Sequence, residues 1–421
     1  MNQSILLRAA VAWLAIVAPI TPSLADSLAD SSADAGPRLT LEAAEQAATQ
    51  SDEGLQAADR RRAGLAATAE AADELPDPRL SVALQNVPTD NYSLSDSPMT
   101  QTVVTLSQSL PPGDTLAFRG EQAEARVAGS AAALATADRQ LKREVRRLWL
   151  AVYREEALGR LLETERALYR ELLESARTAY QVNEASGSDL VALQARLSRI
   201  GDALDRRRGE AEAARARLAR WVGDAAQRPL PDSLPTSLTD EPSGKLDQQP
   251  ELDRLRAELE AARAQVGEAE EQFAPEIGLQ VGYGLRAGSE PNTLSAGVSV
   301  SLPIFSERRQ SPRLRGAQKS AQAAQLELTK RARDLAAQAD GIRARLAALD
   351  RRVARYQNDI IPELQQVAEM IRGEIGSGRG EFDALIEAER AVVEARQELL
   401  TLRLDRADQL IDLRYLLEPT A

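Results

Sequence analysis

The sequence predicts a mainly α-helical fold, internally duplicated, whose long coiled-coil helices carry a β portion suited to a membrane. Three observations predict it. Residues 116–182 and 313–372 read as very long helices in which apolar residues step by four, three and four, the seam of a coiled coil. Residues 79–110 and 276–302 each contain two runs of alternating apolar and polar residues, close to the ~10 residues that a tilted transmembrane strand requires. The order helix, strand pair, long helix, turn, helix is used twice.

Composition narrows the chemistry. The chain is 43% hydrophobic but only 3% aromatic, so Ala and Leu must carry the burial. Its 52 Lys and Arg against 64 Asp and Glu give a net charge of −12, which lacks the basic footprint of a nucleic-acid binder. With no Cys and no His, disulfides, thiol nucleophiles, zinc fingers, histidine bases and serine–histidine triads are excluded. Met99 and Met370 are too few for a methionine-rich copper site. There is no Walker loop and no Rossmann glycine pattern. No catalytic residue, cofactor or protein-held metal is therefore expected.

Along the chain, residues 1–25 read as a signal peptide: Arg8 precedes the apolar stretch Ala9 to Ile20, and Ser23-Leu24-Ala25 ends it before Asp26. The apolar run falls short of the ~20 residues that span a bilayer. Without a cysteine for acylation, membrane attachment is expected from the folded surface itself. Residues 26–38, rich in Ser, Ala and Asp, form a flexible lead-in.

A first repeat covers residues 39–222. It starts with a helix from Leu39 to about Leu75, opened by Thr40 with Glu42 behind it. Leu141, Val145, Leu148 and Val152 form the seam of the long helix, and Leu190, Leu193, Leu197, Ile200 and Leu204 that of the helix Asp189 to Val222. Gly187 and Ser188 turn the chain between them. Residues 223–250 carry Pro229, Pro231, Pro235, Pro242 and Pro250 and form a linker, since proline is excluded from helix interiors and central strands. The second repeat, 251–417, follows the same plan, with a seam at Ile342, Leu346, Leu349 and Val353, an expected kink at Pro362 and a last helix from Phe382; residues 418–421 form a tail. The shorter helices of each half nearly match the long one in length, so they are expected to stack end to end alongside it.

The strands are Arg79 to Asn86, Gln101 to Leu110, Glu276 to Leu285 and Leu294 to Leu302. Val82, Leu84, Val104, Leu106, Leu279, Val281, Val298 and Val300 are expected to face one way. Aromatic residues for interfacial belts are sparse: Tyr92 and Tyr283 lie near the hairpins, with Phe118 and Phe305 beyond them. Four strands cannot close a barrel, and an open sheet edge in lipid leaves backbone groups unsatisfied, so strands that enter a membrane require several chains to share one barrel.

This twice-used order resembles the TolC-type outer-membrane efflux family, the outer membrane factors, over nearly all of the chain beyond the leader. The resemblance rests on Leu39-Thr40-Leu41-Glu42-Ala43-Ala44, on the strand exits Ser107 to Gly113 and Val300 to Phe305, and on the turns Ala185 to Ala195 and Gly378 to Ala388, which align Gly187 with Gly380. The stretches Ser107–Gly120 and Ser377–Arg390 look closest to the heavy-metal cation efflux branch, of the cobalt-zinc-cadmium and copper type. The resemblance implies a homotrimer forming one twelve-stranded barrel in the outer-membrane lipid of a Gram-negative bacterium. Its helices would continue as a periplasmic tunnel that meets a periplasmic adaptor (membrane fusion) protein and an inner-membrane RND-type pump. It also implies a periplasmic tip and pore constriction at Ser186, Gly187, Ser188 and Asp189 and at Gly376, Gly378, Arg379, Gly380, Glu381 and Asp383. Threefold symmetry would make each carboxylate a ring that favours cations. A charge at a helix N-terminus complementing the dipole is the simpler role for each acid singly. The implied function is a passive exit duct for substrates that include heavy-metal cations. A periplasmic adaptor or a structural coiled-coil protein of the envelope are the alternatives.

Overall fold

A computed structural model describes residues 38–182, 185–286, 289–376 and 382–418. The expected signal peptide, nearly all of the lead-in and the last three residues lie outside them. The elements run α1 (Leu41–Ser51), α2 (Glu53–Ala69), β1 (Arg79–Gln85), β2 (Gln101–Leu110), α3 (Thr115–Gln181), α4 (Gly187–Val222), α5 (Pro250–Glu271), β3 (Glu276–Arg286), β4 (Thr293–Ser301), α6 (Gln310–Arg355), α7 (Ile361–Gly376) and α8 (Phe382–Leu417). At 1.5 Å per residue the 67 residues of α3 reach about 100 Å. The chain exposes 26,880 Å², whereas a compact monomer of 45.6 kDa exposes roughly 16,000 Å². It is a rod with much uncovered flank.

Two expectations about helices are revised. The first helix is split at Asp52, whose backbone is extended, whose N–H closes α1 on Ala48 O and whose Oδ1 accepts the Leu55 N–H at 2.6 Å. A short acidic side chain here competes with the helical backbone and starts a second helix. That second helix stops at Ala69, ahead of Pro76 and Pro78, rather than at Leu75. At Pro362 the backbone inserts a π turn, Tyr356–Ile360, so that proline falls in the first turn of α7, where its missing N–H is tolerated.

The sheet is one four-stranded antiparallel unit in the order β1-β2-β3-β4, because β2 pairs with β3 and joins the two hairpins. Gly113, with φ +50°, turns the chain from β2 into α3; a Cβ there would also collide with the Glu271 carboxylate. Beneath the sheet α2 lies against α3, α3 against α5 and α5 against α6, so these helices follow the strand order.

The main core surrounds the middle of α3. Val145, Trp149 and Val152 are buried with Leu41 and Ala44 of α1, Leu218 of α4, Leu230 and Leu238 of the linker and Ile411 of α8. Trp149 stacks on Tyr153 with ring centroids 5.5 Å apart and donates from Nε1 to Leu39 O at 3.0 Å. Tyr153 in turn donates to Asp232 O at 3.0 Å, and the Leu39 N–H donates to Pro229 O at 2.9 Å. The proline-rich linker therefore packs as a collar at mid-rod. Arg146, its side chain only 7% exposed, donates to Glu45 at 2.6 Å and to Glu418 at 2.7 Å. Burial opposes its charge, but those two hydrogen-bonded carboxylates prevail and hold its guanidinium above the ordinary arginine range. Gln249 accepts from Arg139 at 2.8 Å and donates to Tyr415 O at 3.2 Å, which sets the start of α5 against the end of α8.

Trp149→Ala should lower unfolding stability by about 3–5 kcal/mol, and Arg146→Ala by about 2–4 kcal/mol because the half-buried Glu45 loses its partner; chemical denaturation measures both. Burial pushes the Asp408 carboxyl above its usual range, and Arg147 only partly opposes this. A carboxylate with a raised folded pKa costs stability above that pKa, and the cost fades as pH falls towards the unfolded value of about 3.9. Asp408→Asn should therefore raise the melting temperature at pH 7 to 8, and the gain should shrink when melts are repeated towards pH 4.

Candidate functional site

Two regions have the character of a working surface: the sheet at one end of the rod and the helix turns at the other. In the sheet, register decides which residues share a face. Leu80 pairs with Leu106 and Leu106 with Val281; Val82 pairs with Val104, and Leu279 pairs with Val298. The eight residues expected to face one way therefore do so. They are joined on that face by Leu80, Ile277, Tyr283, Leu285 and Leu294, with Thr102 and Gln108 as its polar members. This face is uncovered: Leu80 is 69% exposed, Val298 67% and Leu294 76%. Strands of about ten residues, tilted by ~40°, give an apolar band of about 25 Å, the height of a bilayer's hydrocarbon layer.

The opposite face is polar and small. Thr293 Oγ1 donates to Gln101 Oε1 at 2.9 Å, and Ser295 Oγ and Ser299 Oγ donate to Gly282 O and Gly278 O at 3.2 and 3.3 Å. A Cβ at Gly278 or Gly282 would run into those serine hydroxyls, so the glycines keep this face low. Of the four aromatics, Tyr283 sits on the apolar face near the hairpin loops, where its hydroxyl accepts from Asn292 at 3.0 Å. Tyr92 is exposed in the first loop and Phe305 at the helical rim. Phe118 instead packs against α5 at Gly267, and does not serve a belt. Among the described residues no helix is long and apolar enough to cross a membrane.

At the far end Ser186 caps α4. Its Oγ accepts the Asp189 N–H at 3.3 Å, while Asp189 Oδ2 accepts the Ser186 N–H at 2.9 Å, a reciprocal capping box. Gly187 opens the helix, and Ser188 Oγ lies 2.5 Å from Ser186 Oγ. Asp189 is buried, its carboxylate spent on the helix end. Gly376 ends α7, and Asp383 stands exposed in the first turn of α8, beside the buried Phe382. Phe382 and Leu385 pack with Tyr169 and Ala176 of α3 and Leu193 of α4, so both turns meet at one end of the bundle. Gly378, Arg379, Gly380 and Glu381 lie outside the described residues.

Just above the turns, Arg196 of α4 binds Glu165 of α3 at 2.7 Å, Gln397 of α8 donates to the same carboxylate at 3.2 Å, and Arg372 of α7 binds Glu389 of α8. These acids bridge different helices, and their partners lie too far apart in sequence for spacing to disclose them. Among the described residues no group of three or more His, Cys, Asp or Glu is placed to hold a metal ion.

The model of the outer membrane efflux protein family matches residues 242–417. No curated protein matches the chain. Among solved structures the fold is similar to CusC, described as forming a transmembrane channel, with TM-score 0.73 and 18% identity over 89% of this chain and 91% of that one. It is likewise similar to the outer membrane protein VceC of Vibrio cholerae (TM-score 0.71, 16% identity, 89% and 95% covered). The outer-membrane channel OprN gives TM-score 0.70 at 17% identity, with 89% of each chain covered.

The capping box makes its own forecast. Ser186→Ala and Asp189→Ala should each destabilise by about 1 kcal/mol, and the double variant by less than the sum because both act on one pair of hydrogen bonds. Urea denaturation of the three variants measures this.

Proposed function

We propose that this chain, whose residues 242–417 match the model of the outer membrane efflux protein family, is the outer-membrane channel of a tripartite efflux system, a passive duct with no catalytic step. The observation that carries this reading is the four-stranded sheet, apolar on one face, polar on the other and unpaired along the outer edges of β1 and β4. Such edges leave backbone N–H and C=O groups that cost several kcal/mol each in hydrocarbon. Pairing β4 of one copy with β1 of the next satisfies them, and three copies supply twelve strands. The polar face then lines the lumen, and the helices extend it into the periplasm as a tunnel.

The same reading assigns the turns at residues 186–189 and 376–383 to the tip, where a periplasmic adaptor fed by an inner-membrane RND-type pump would dock. Glu381 and Asp383 would form acidic rings at the constriction. Heavy-metal cations are the proposed cargo, in keeping with the net charge of −12 and passing as free solute.

The chain's lack of cysteine makes the strand pairing directly testable. Ala83→Cys in β1 combined with Ser299→Cys in β4 should give dimer and trimer bands on non-reducing gels of detergent-extracted outer membranes. A soluble periplasmic monomer with no cross-linked product would refute the shared barrel. In planar bilayers, Glu381→Ala with Asp383→Ala should reduce cation preference at unchanged barrel assembly; unchanged selectivity would retire the acidic rings.

A further inference from the structure

We infer that two oppositely charged segments at the helical rim of the sheet, one on each flank of the protomer, form an electrostatic clasp between neighbouring copies of this chain. The inference rests on the shared-barrel reading and adds to it a specific surface and its partner.

The acidic segment runs from the end of α2 to the start of β1 and holds Glu70, Asp73, Glu74 and Asp77, against no basic residue before Arg79. The basic segment runs from the end of β4 into the first turns of α6 and holds Arg308, Arg309, Arg313 and Arg315 against Glu307 alone. Both are exposed, in a chain whose arginines elsewhere pair widely with carboxylates across helices. No ion pair joins these residues to each other or to any carboxylate or cation among the described residues; Arg313 donates to the neutral Gln272, just past α5, at 3.2 Å.

Each segment also carries the wrong charge for its own helix. The positive end of a helix dipole favours acids, yet α6 begins with arginines and has no acid in its first turn. The negative end favours cations, yet α2 is capped by Glu70 and has no basic residue in its last turn. Within one chain both arrangements are unfavourable, and each is relieved by the other segment.

Topology supplies the meeting. β1 begins and β4 ends at the same rim, and they are the two edges of the sheet. The helices below follow the same order, with α2 and α6 outermost. When β4 of one copy pairs with β1 of the next, the basic segment of the first lies beside the acidic segment of the second at equal height. Three such clasps would ring the junction between barrel and tunnel, partly buried and therefore less screened than open surface pairs.

The test is a charge swap read by oligomer stability in detergent. Arg308→Glu with Arg309→Glu should speed dissociation of the trimer about tenfold or more, since like charges then face each other. Glu74→Arg with Asp77→Arg should do the same, the combined four-residue variant should recover near wild-type lifetime, and 0.5 M NaCl should narrow all differences. Failure of the combined variant to recover, or no effect of either reversal, overturns the clasp; the first of these results would point instead to anionic lipid as the partner of the arginines. A wild-type chain that is monomeric at every ionic strength would overturn the shared barrel itself, a different result from a stable trimer indifferent to these charges.

Discussion

The unpaired backbone of two sheet edges is the constraint on which the rest of the structure turns. A strand in water can leave its outer N–H and C=O groups to solvent, but a strand whose side chains form a broad apolar face is meant for a medium with no hydrogen bonds to offer. The β1-β2-β3-β4 sheet has such a face and two such edges. Neither a longer loop nor a better turn would remedy this, because four strands enclose too little space to close on themselves. Further strands of matching height would satisfy the edges, and in the proposed barrel identical copies would provide them at no cost in new sequence.

The rods follow from the same demand. Each strand pair is continuous with helices on its inner end, so the proposed ring of strands would carry a ring of helices, and α3 at about 100 Å would set its depth. Helices that long cannot be stabilised by propensity alone. The collar around Trp149, Tyr153 and Arg146 fastens α1, the linker and α8 to the middle of α3, where end-to-end stacked helices would otherwise part. Seam positions such as Leu349 and Val353 are only half-buried within the single chain, in keeping with the proposed packing against neighbouring copies.

Much of this was legible in residue order. The strand bounds differ by a residue or so from those expected, as do the ends of α4 and α8, because alternation and heptad-like spacing are local consequences of strand and helix geometry. What escaped was decided by competition or distance. The break at Asp52 and the π turn before Pro362 came from one residue outbidding a helical hydrogen bond, which the apolar pattern does not register. At the turn before α4, Asp189 takes the simpler of its two expected roles, a helix N-terminal acid, and the structure adds its reciprocal capping box with Ser186.

By itself the sequence determined the kind of elements, their order and the side on which each strand is apolar, since these depend on neighbours within a few positions. It also excluded cysteine and histidine chemistry outright. Tertiary structure alone decided that β2 pairs with β3 to make one sheet of two hairpins, that the proline-rich linker packs as a collar, and that Glu165 answers to Arg196 and Gln397 on two other helices. These contacts join residues tens to hundreds of positions apart, and their energies depend on distances and burial that exist only once the chain has folded.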